Sequence, residues 1–517
     1  MKRTFLKTIV IFTLALSVFS CKKEIAGNGL TTIKMWYAGA TNDAGAPPSD
    51  WIFIQKVRDQ LGIDLRLTLL PFDENERDKK INTAVALNQL PDLFAVNRAT
   101  WLKLISLGKI AQVDDMYELM PHRTEVIYTP ESIRSTTING HSYALASPGS
   151  IPRNEGVLIR KDWLDKLGLP VPVTTDDFLR VMRAFTFNDP DGNGKNDTYG
   201  FGAFIELYSH QEGLGRRFEP LFGAFGVEGT WQFGDAAGLS VRKPEYYDAL
   251  EYVSQIVKEG LIDPNWSTYK KDEFRNAWHN GKFGIMREQN AAYANEANYT
   301  KFDKNFPEGE WIVINPPRGP SGKMSTGVYI QGYRMLAVSK KAEKAGKKQA
   351  IARLLEWMSS EEGYYLLGWG QEGINYIRDA NNLPSEKGLP RPELGYSKQE
   401  MRPYRQMMNY VLYNSPVELV SRYPTYTTKY SHKTMSSYDV LMQMDKLPYT
   451  PAIGADSMPL PSEELKRFYE QGVLEFVTGR RTLTRDSWAA WLKEFDELGG
   501  KLWESDGLEF AKNNGYF

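Results

Sequence analysis

The sequence predicts an α/β protein built as two lobes, and three observations carry that expectation. Short apolar strands alternate with amphipathic helices from Thr31 onward, a second run of the same kind begins near Ser150, and 517 residues are enough for several compact units of about 150 residues. Such a rhythm builds sheets covered by helices on both faces.

The first lobe reads in order. Residues 32–37 form a strand ending in Ala38-Gly39, 51–61 a helix, and 64–70 a second strand stopped by Pro71. A helix over 75–87 follows, and Leu90-Pro91-Asp92 introduces a strand over 93–96 that turns at Asn97-Arg98. Asn139-Gly140 is a two-residue hairpin turn. In the second lobe 156–160 is a strand and 162–167 a short helix. Thr174 with Asp177 three residues on makes a capping box for a helix reaching about Phe185. Pro244 opens a helix with Leu250, Val253, Ile256 and Val257 on one face. A helix over 272–280 is closed by Gly281, and a strand over 283–286 delivers Arg287 to its edge. Later, 331–338 reads as a strand, followed by a helix with Ile351, Leu354, Leu355 and Met358 on one face. Trp488, Trp491, Leu492, Phe495 and Leu498 recur at helical spacing, as a core stripe does. The Pro- and Gly-rich stretch 316–327 reads as a surface loop or an interlobe crossing.

Composition narrows the function. Lys and Arg number 63 against 64 Asp and Glu, so the chain as a whole has no basic excess with which to hold nucleic acid or an anionic surface. Aromatics reach 13%, with 13 Trp and 28 Tyr, a surplus shared between core packing and the stacking of rings on sugar faces. The five histidines lack metal-ligand spacing, and no G-x-S-x-G, H-E-x-x-H or G-x-x-x-x-G-K-[ST] motif occurs.

The N-terminus is informative. Lys2, Arg3 and Lys7 precede an apolar stretch over 9–16, too short to span a bilayer, and Val18-Phe19-Ser20-Cys21 forms a lipoprotein-type cleavage site. Cys21 is the sole cysteine, so neither a structural disulfide nor a sulfur metal cage is available, and lipidation is its simplest use. A signal peptide over 1–20 and a lipidated tether over 21–30 are therefore expected, with the mature protein outside the cytoplasm.

One loop carries metal chemistry. Asp189, Asp191, Asn193, the carbonyl of Lys195 and Asp197 stand at positions 1, 3, 5, 7 and 9 of an EF-hand-type calcium loop, with Gly194 at position 6. Position 12, normally a bidentate Glu, is Gly200. A weakened, structural Ca2+ site is expected.

In sequence order, the lipoprotein signal, Leu90-Pro91-Asp92, the 140–145 segment, 160–168 (RKDWLDKLG), the calcium-like loop and 258–264 (KEGLIDP) together resemble the extracellular solute-binding proteins of family one. Within that family the likeness is to the large lipoprotein branch that includes alginate-oligosaccharide-binding proteins. The resemblance implies a periplasmic-binding-protein-like fold with a ligand cleft between lobes. It also implies a monomer that delivers its ligand to the permease of an ABC importer whose ATPase is a separate chain. Calcium-binding members have a Glu directly after the last loop Asp, where this chain has Thr198.

On this reading lobe 1 begins with 31–149, lobe 2 is mainly 150–315, and 316–517 supplies crossing segments and C-terminal helices to both. Strand ends nominate Tyr37, Asn97, Trp101, Arg153, Asn154, Arg287, Trp369 and Tyr376 for the cleft. Arg153 and Arg287 suit a uronate carboxylate through their planar forks, and the glycine-spaced 368–373 segment would admit a close backbone approach. Two other functions remain open. A peptide-binding or sensory solute-binding protein uses the same architecture, and a polysaccharide-degrading lipoprotein enzyme needs only two opposed carboxylates among the 64 acids.

Overall fold

A computed structural model describes residues 29–38, 45–71, 73–147, 153–207, 212–233, 237–329, 334–411, 416–451 and 458–517. The expected signal peptide and Cys21 lie outside the described residues. Two sheets divide the molecule.

Lobe 1 is built on β1 (Thr31–Ala38), β2 (Ile63–Leu70), β3 (Leu93–Val96), β4 (Leu145–Ser147) and, from much later in the chain, β9 (Arg334–Val338). Their order is β2-β1-β3-β9-β4. β1 is parallel to β2 and β3, with Met35 opposite Leu93, while β9 runs antiparallel to β3 and β4. The helices α1 (Ile52–Leu61), α2 (Glu74–Ala86) and α3 (Arg98–Ser106) complete its first half. Alternation in β1 puts Ile33, Met35 and Tyr37 into one core, where they meet Ile351, Leu354 and Leu355. Trp36 points to the opposite face and packs beside Phe94 and Trp101.

Lobe 2 is built on β5 (Glu155–Arg160), β6 (Tyr199–Gly202), β7 (Phe283–Gln289) and β8 (Trp311–Ile314), ordered β8-β5-β7-β6. β7 is antiparallel to β5 and parallel to β6, with Ile285 opposite both Ile159 and Phe201. α4 (Thr175–Phe187) has the expected Thr174–Asp177 capping box, and α5 (Pro244–Lys258) and α6 (Lys271–His279) cover the sheet. β7 runs three residues beyond the expected stop, so Arg287 sits inside a strand rather than at its edge. The cause is the extended partner β5, which pairs with β7 as far as Glu155 opposite Gln289.

The chain then returns to lobe 1 for β9 and for α7 (Lys340–Lys344), α8 (Lys348–Met358), α9 (Glu361–Gly368) and α10 (Pro416–Arg422). It re-enters lobe 2 with α11 (Ser437–Asp445), α12 (Glu463–Val477), α13 (Arg485–Glu497) and α14 (Gly500–Asn513). The tryptophan stripe packs as a core: Trp488 and Trp491 stack at 4.7 Å, and Trp491 and Phe495 are fully buried. The 316–327 loop is pinned to lobe 2, where Arg318 exchanges backbone hydrogen bonds with Val173 and Thr175. The described chain therefore changes lobe three times, between Ser147 and Arg153, between Tyr329 and Arg334, and close to 423–425. The lobes also touch where the Asn139 amide donates to Asn514 Oδ1 at 3.1 Å.

Candidate ligand-binding site

In sheets of this kind ligands bind beyond the carboxyl ends of the strands, where helix N-termini and loops converge. In lobe 1 that edge is formed by the ends of β1 and β3 and by the start of α2. Asn97, directly after β3, caps α3 by accepting the Thr100 amide at 2.9 Å, and its Nδ2 donates to Asp78 Oδ2 at 2.6 Å. The other oxygen, Asp78 Oδ1, is buried with no hydrogen-bond partner among the described residues. Such an acceptor has room for a further donor. On the same helix the Lys80 ammonium lies 5.2 Å from the half-buried Trp36 ring.

Beside the crossings, the lobe 2 wall is an ionic network. Arg153 donates through its amide and Nε to Asp445 Oδ1, at 2.8 and 3.2 Å, and its guanidinium lies 4.8 Å from the Tyr449 ring. Tyr449 and Tyr329 meet edge to face at 6.2 Å, both half-buried. Behind them Glu155 bonds Arg216 and, at 3.1 Å, Arg287, which also donates to Glu219 at 2.9 Å. Arg217 joins Glu206 and Glu288 at 2.7 and 3.1 Å. Burial alone would raise the Glu155 carboxyl, but the guanidiniums of Arg216, Arg287 and Arg217 outweigh it and hold the group at about 2.

The nominated residues thus separate by exposure. Asn97, Arg153 and Asn154 are half-buried and stand at strand ends or crossings. Tyr37 and Trp101 are fully buried in the two cores of lobe 1, and Arg287 is 2% exposed with its fork held by two acids. Trp369 donates its indole N–H to the buried Glu418, which also accepts from Tyr364, and Tyr376 stacks on Tyr365 at 5.9 Å. These two rings belong to the packing of α9 and α10. The glycine spacing around Trp369 serves a local turn: Gly370 has φ +84°, and a Cβ there would meet Asn375 Oδ1 at 2.6 Å. Trp36, Asp78, Tyr329 and Tyr449 were not singled out from sequence. Only the position of Trp36, one residue before Tyr37 in β1, offered a signal.

The calcium-like loop folds round its acids. Asp189 (φ +47°) accepts the amides of Gly192, Asn193 and Gly194 at 3.0 Å each, and Gly192 and Gly194 supply the left-handed turns. Asn193 Nδ2 donates to Asp191 at 2.8 Å and to Asp197 at 3.1 Å. Burial, together with neighbouring Asp189 and Asp197, pushes the Asp191 carboxyl up. An amide thus sits where a cation would relieve the same repulsion, so the donor chemistry fits Ca2+ once the amide turns its oxygen inward. Among the described residues no group of three or more His, Cys, Asp or Glu is placed to hold a metal, so the fit depends on Asn193 and the Lys195 carbonyl. The two departures from the calcium pattern have structural reasons. Thr198 is buried and donates its hydroxyl to the Phe185 carbonyl at 2.9 Å, closing α4. Gly200 lies in β6 against α4, where a Cβ would come within 2.4 Å of Met182 Cα.

No protein-family model matches the chain. Its curated relatives include the polygalacturonan/rhamnogalacturonan-binding protein YtcQ of Bacillus subtilis, 24% identical over 66% of this chain and 66% of that protein. Lipoprotein LipO of Bacillus subtilis is 26% identical over 61% and 62%, and the fructooligosaccharide ABC transporter substrate-binding protein FusA of Streptococcus pneumoniae 26% over 62% of each. The chain therefore spans a little under two thirds of the length of these relatives. Among solved structures, an HMO-binding ABC-transporter-associated solute-binding protein of Bifidobacterium longum infantis superposes with TM-score 0.71 at 17% identity, covering 94% of this chain and 99% of the other. An EF-hand mutant of FusA gives 0.62 at 19% over 94% and 98%, and the alginate-binding protein AlgQ2 without calcium ion 0.59 at 15% over 93% and 98%. The fold is that of two-domain solute-binding proteins, and YtcQ and FusA are named for binding rather than for catalysis.

Proposed function

We propose, from the premise that this chain has the fold and the sequence relatives of carbohydrate ABC-transporter substrate-binding proteins, that it captures an oligosaccharide between its lobes and delivers it to a membrane permease. The ATPase would be a separate chain. Lipidation of Cys21 would hold the protein, a monomer, at the outer face of the cell membrane, and no described helix is long and apolar enough to cross it.

The observation that carries this reading is the buried Asp78 Oδ1 at the carboxyl edge of lobe 1, without a partner among the described residues, an acceptor suited to a sugar hydroxyl. Trp36, Tyr329 and Tyr449 offer apolar faces for pyranose rings, and Asn97, Arg153 and Asn154 complete the polar contacts. Arg287 stands behind the lobe 2 wall on Glu155 and Glu219, while Tyr37, Trp101, Trp369 and Tyr376 pack in the cores of lobe 1. Closure follows from the ligand's stronger interaction with the state in which both walls touch it. The wall arginines are matched by protein acids, so a neutral sugar meets no excess charge. A uronate would be recognised by Arg153, whose side chain is 32% exposed.

Calorimetric titration of residues 22–517 with neutral oligosaccharides, uronate-bearing oligosaccharides and short peptides tests the reading. Saturable binding of a sugar is expected. Binding of peptides alone would replace the cargo, and turnover of a sugar would replace transport with hydrolysis.

The calcium loop is proposed as a structural clip fastening the turn after α4, with Asp189, Asp191, Asn193, the Lys195 carbonyl and Asp197 as ligands. Millimolar Ca2+ is expected to raise the melting temperature by a few degrees in the parent protein and to leave Asp197→Ala unmoved. Equal responses in scanning calorimetry would discard the clip.

A further inference from the structure

The near-zero net charge of the chain conceals a basic end of lobe 1. β9 is antiparallel to β3, with Val338 opposite Leu93, so α7 begins beside the amino end of β3. β1 enters the sheet at the same end, since Met35 pairs with Leu93 and the Lys34 amide donates to Asp92 at 2.8 Å. There Asn88, Lys109, Lys340, Lys341 and Lys344 line a shallow depression of about 250 Å³. Lys347 is matched by Asp92 at 3.0 Å and Lys340 by Glu343 at 2.6 Å. Among the described residues Lys34, Lys109, Lys341 and Lys344 have no carboxylate partner, and Lys34, Lys341 and Lys344 are exposed.

This end lies opposite the carboxyl ends of β1 and β3, and it is where the chain arrives from Cys21. The ten residues from Cys21 to Thr31 reach at most about 35 Å when fully extended. An anchored Cys21 would therefore keep the lysines close to a bilayer, at the millimolar effective concentration that a short tether confers.

We propose that the basic end of lobe 1 rests on anionic phospholipid headgroups, so that the anchored protein waits with its cleft turned away from the bilayer. The proposal rests on the lipid-anchor reading. Clustered lysines near an anionic surface are attracted within a Debye length of about 8–10 Å, which the tether permits. Delivery to a permease would then include release of this contact.

The test replaces the lipid, so that it does not depend on processing at Cys21. Residues 22–517 carrying an N-terminal histidine tag are mounted on vesicles of nickel-chelating lipid in either phosphatidylcholine or phosphatidylcholine with phosphatidylglycerol. Energy transfer is read from a dye at Gln89→Cys, beside the depression, to a lipid dye. Transfer is expected to rise about twofold on the anionic vesicles, to return to the neutral value in 0.5 M salt, and to do the same in the quadruple Lys34→Gln, Lys109→Gln, Lys341→Gln, Lys344→Gln variant. Equal transfer on both compositions would overturn the proposal. So would a quadruple variant with unchanged transfer but slower uptake through the importer, which would assign the lysines to a protein partner. Mass spectrometry of the mature N-terminus tests the anchor separately.

Discussion

Replacing Arg287 with alanine is expected to destabilise the folded protein by about 3–5 kcal/mol, because it leaves the buried carboxylates of Glu155 and Glu219 without the guanidinium between them. Equilibrium denaturation at pH 7 measures the loss. Adding Glu219→Gln should restore part of it by removing one of the two buried charges that Arg287 faced, a recovery that a simple packing defect would not show. The pH dependence has a definite sign. The Glu155 carboxyl, at about 2 in the folded state, lies below its ordinary value of 4.5. Its contribution is therefore present above pH 4.5 and is lost as pH falls toward 2. Without Arg287 the folded value rises toward 4.5, so the acid-induced loss should be smaller and should be complete at a higher pH. A variant as stable as the parent at pH 7 would show that the network is dispensable.

Asp78→Ala is expected to weaken oligosaccharide binding by about 10–100-fold, the range for a hydrogen bond to a charged acceptor. Stability should change by no more than about 1 kcal/mol, since the Asn97 amide is the partner lost. Calorimetry gives the affinity and denaturation the stability. Unchanged affinity would move the binding site away from the carboxyl edge of lobe 1. Trp36→Ala is the companion variant, expected to lower affinity through lost ring stacking.

Local elements were legible where local chemistry decides them. The Thr174–Asp177 capping box, the Asn139-Gly140 turn with φ of 51° and 79°, and the one-face spacing of Ile351, Leu354, Leu355 and Met358 all appear in the structure as the sequence implies. The cleft was less legible, because a residue's position at a strand end does not say which face of the sheet it takes. Tyr37 and Trp36 are neighbours, yet period-two alternation sends the first into the core and the second to the other face. Arg287 reads as a free cation until β5 brings Glu155 beside it from more than a hundred residues away.

The sequence by itself determined the two-lobed α/β class, the order of the strands and helices read above, the lipoprotein-like pattern ending at Cys21 and the oxygen spacing of the 189–197 loop, because each depends on residues close together in the chain. Only the tertiary structure decided which charges are already matched, which rings are core, why Thr198 and Gly200 stand where calcium loops carry Glu, and that lysines scattered between Lys34 and Lys344 gather at one end. Burial and charge pairing depend on what the fold brings together across long separations, and no local pattern records that.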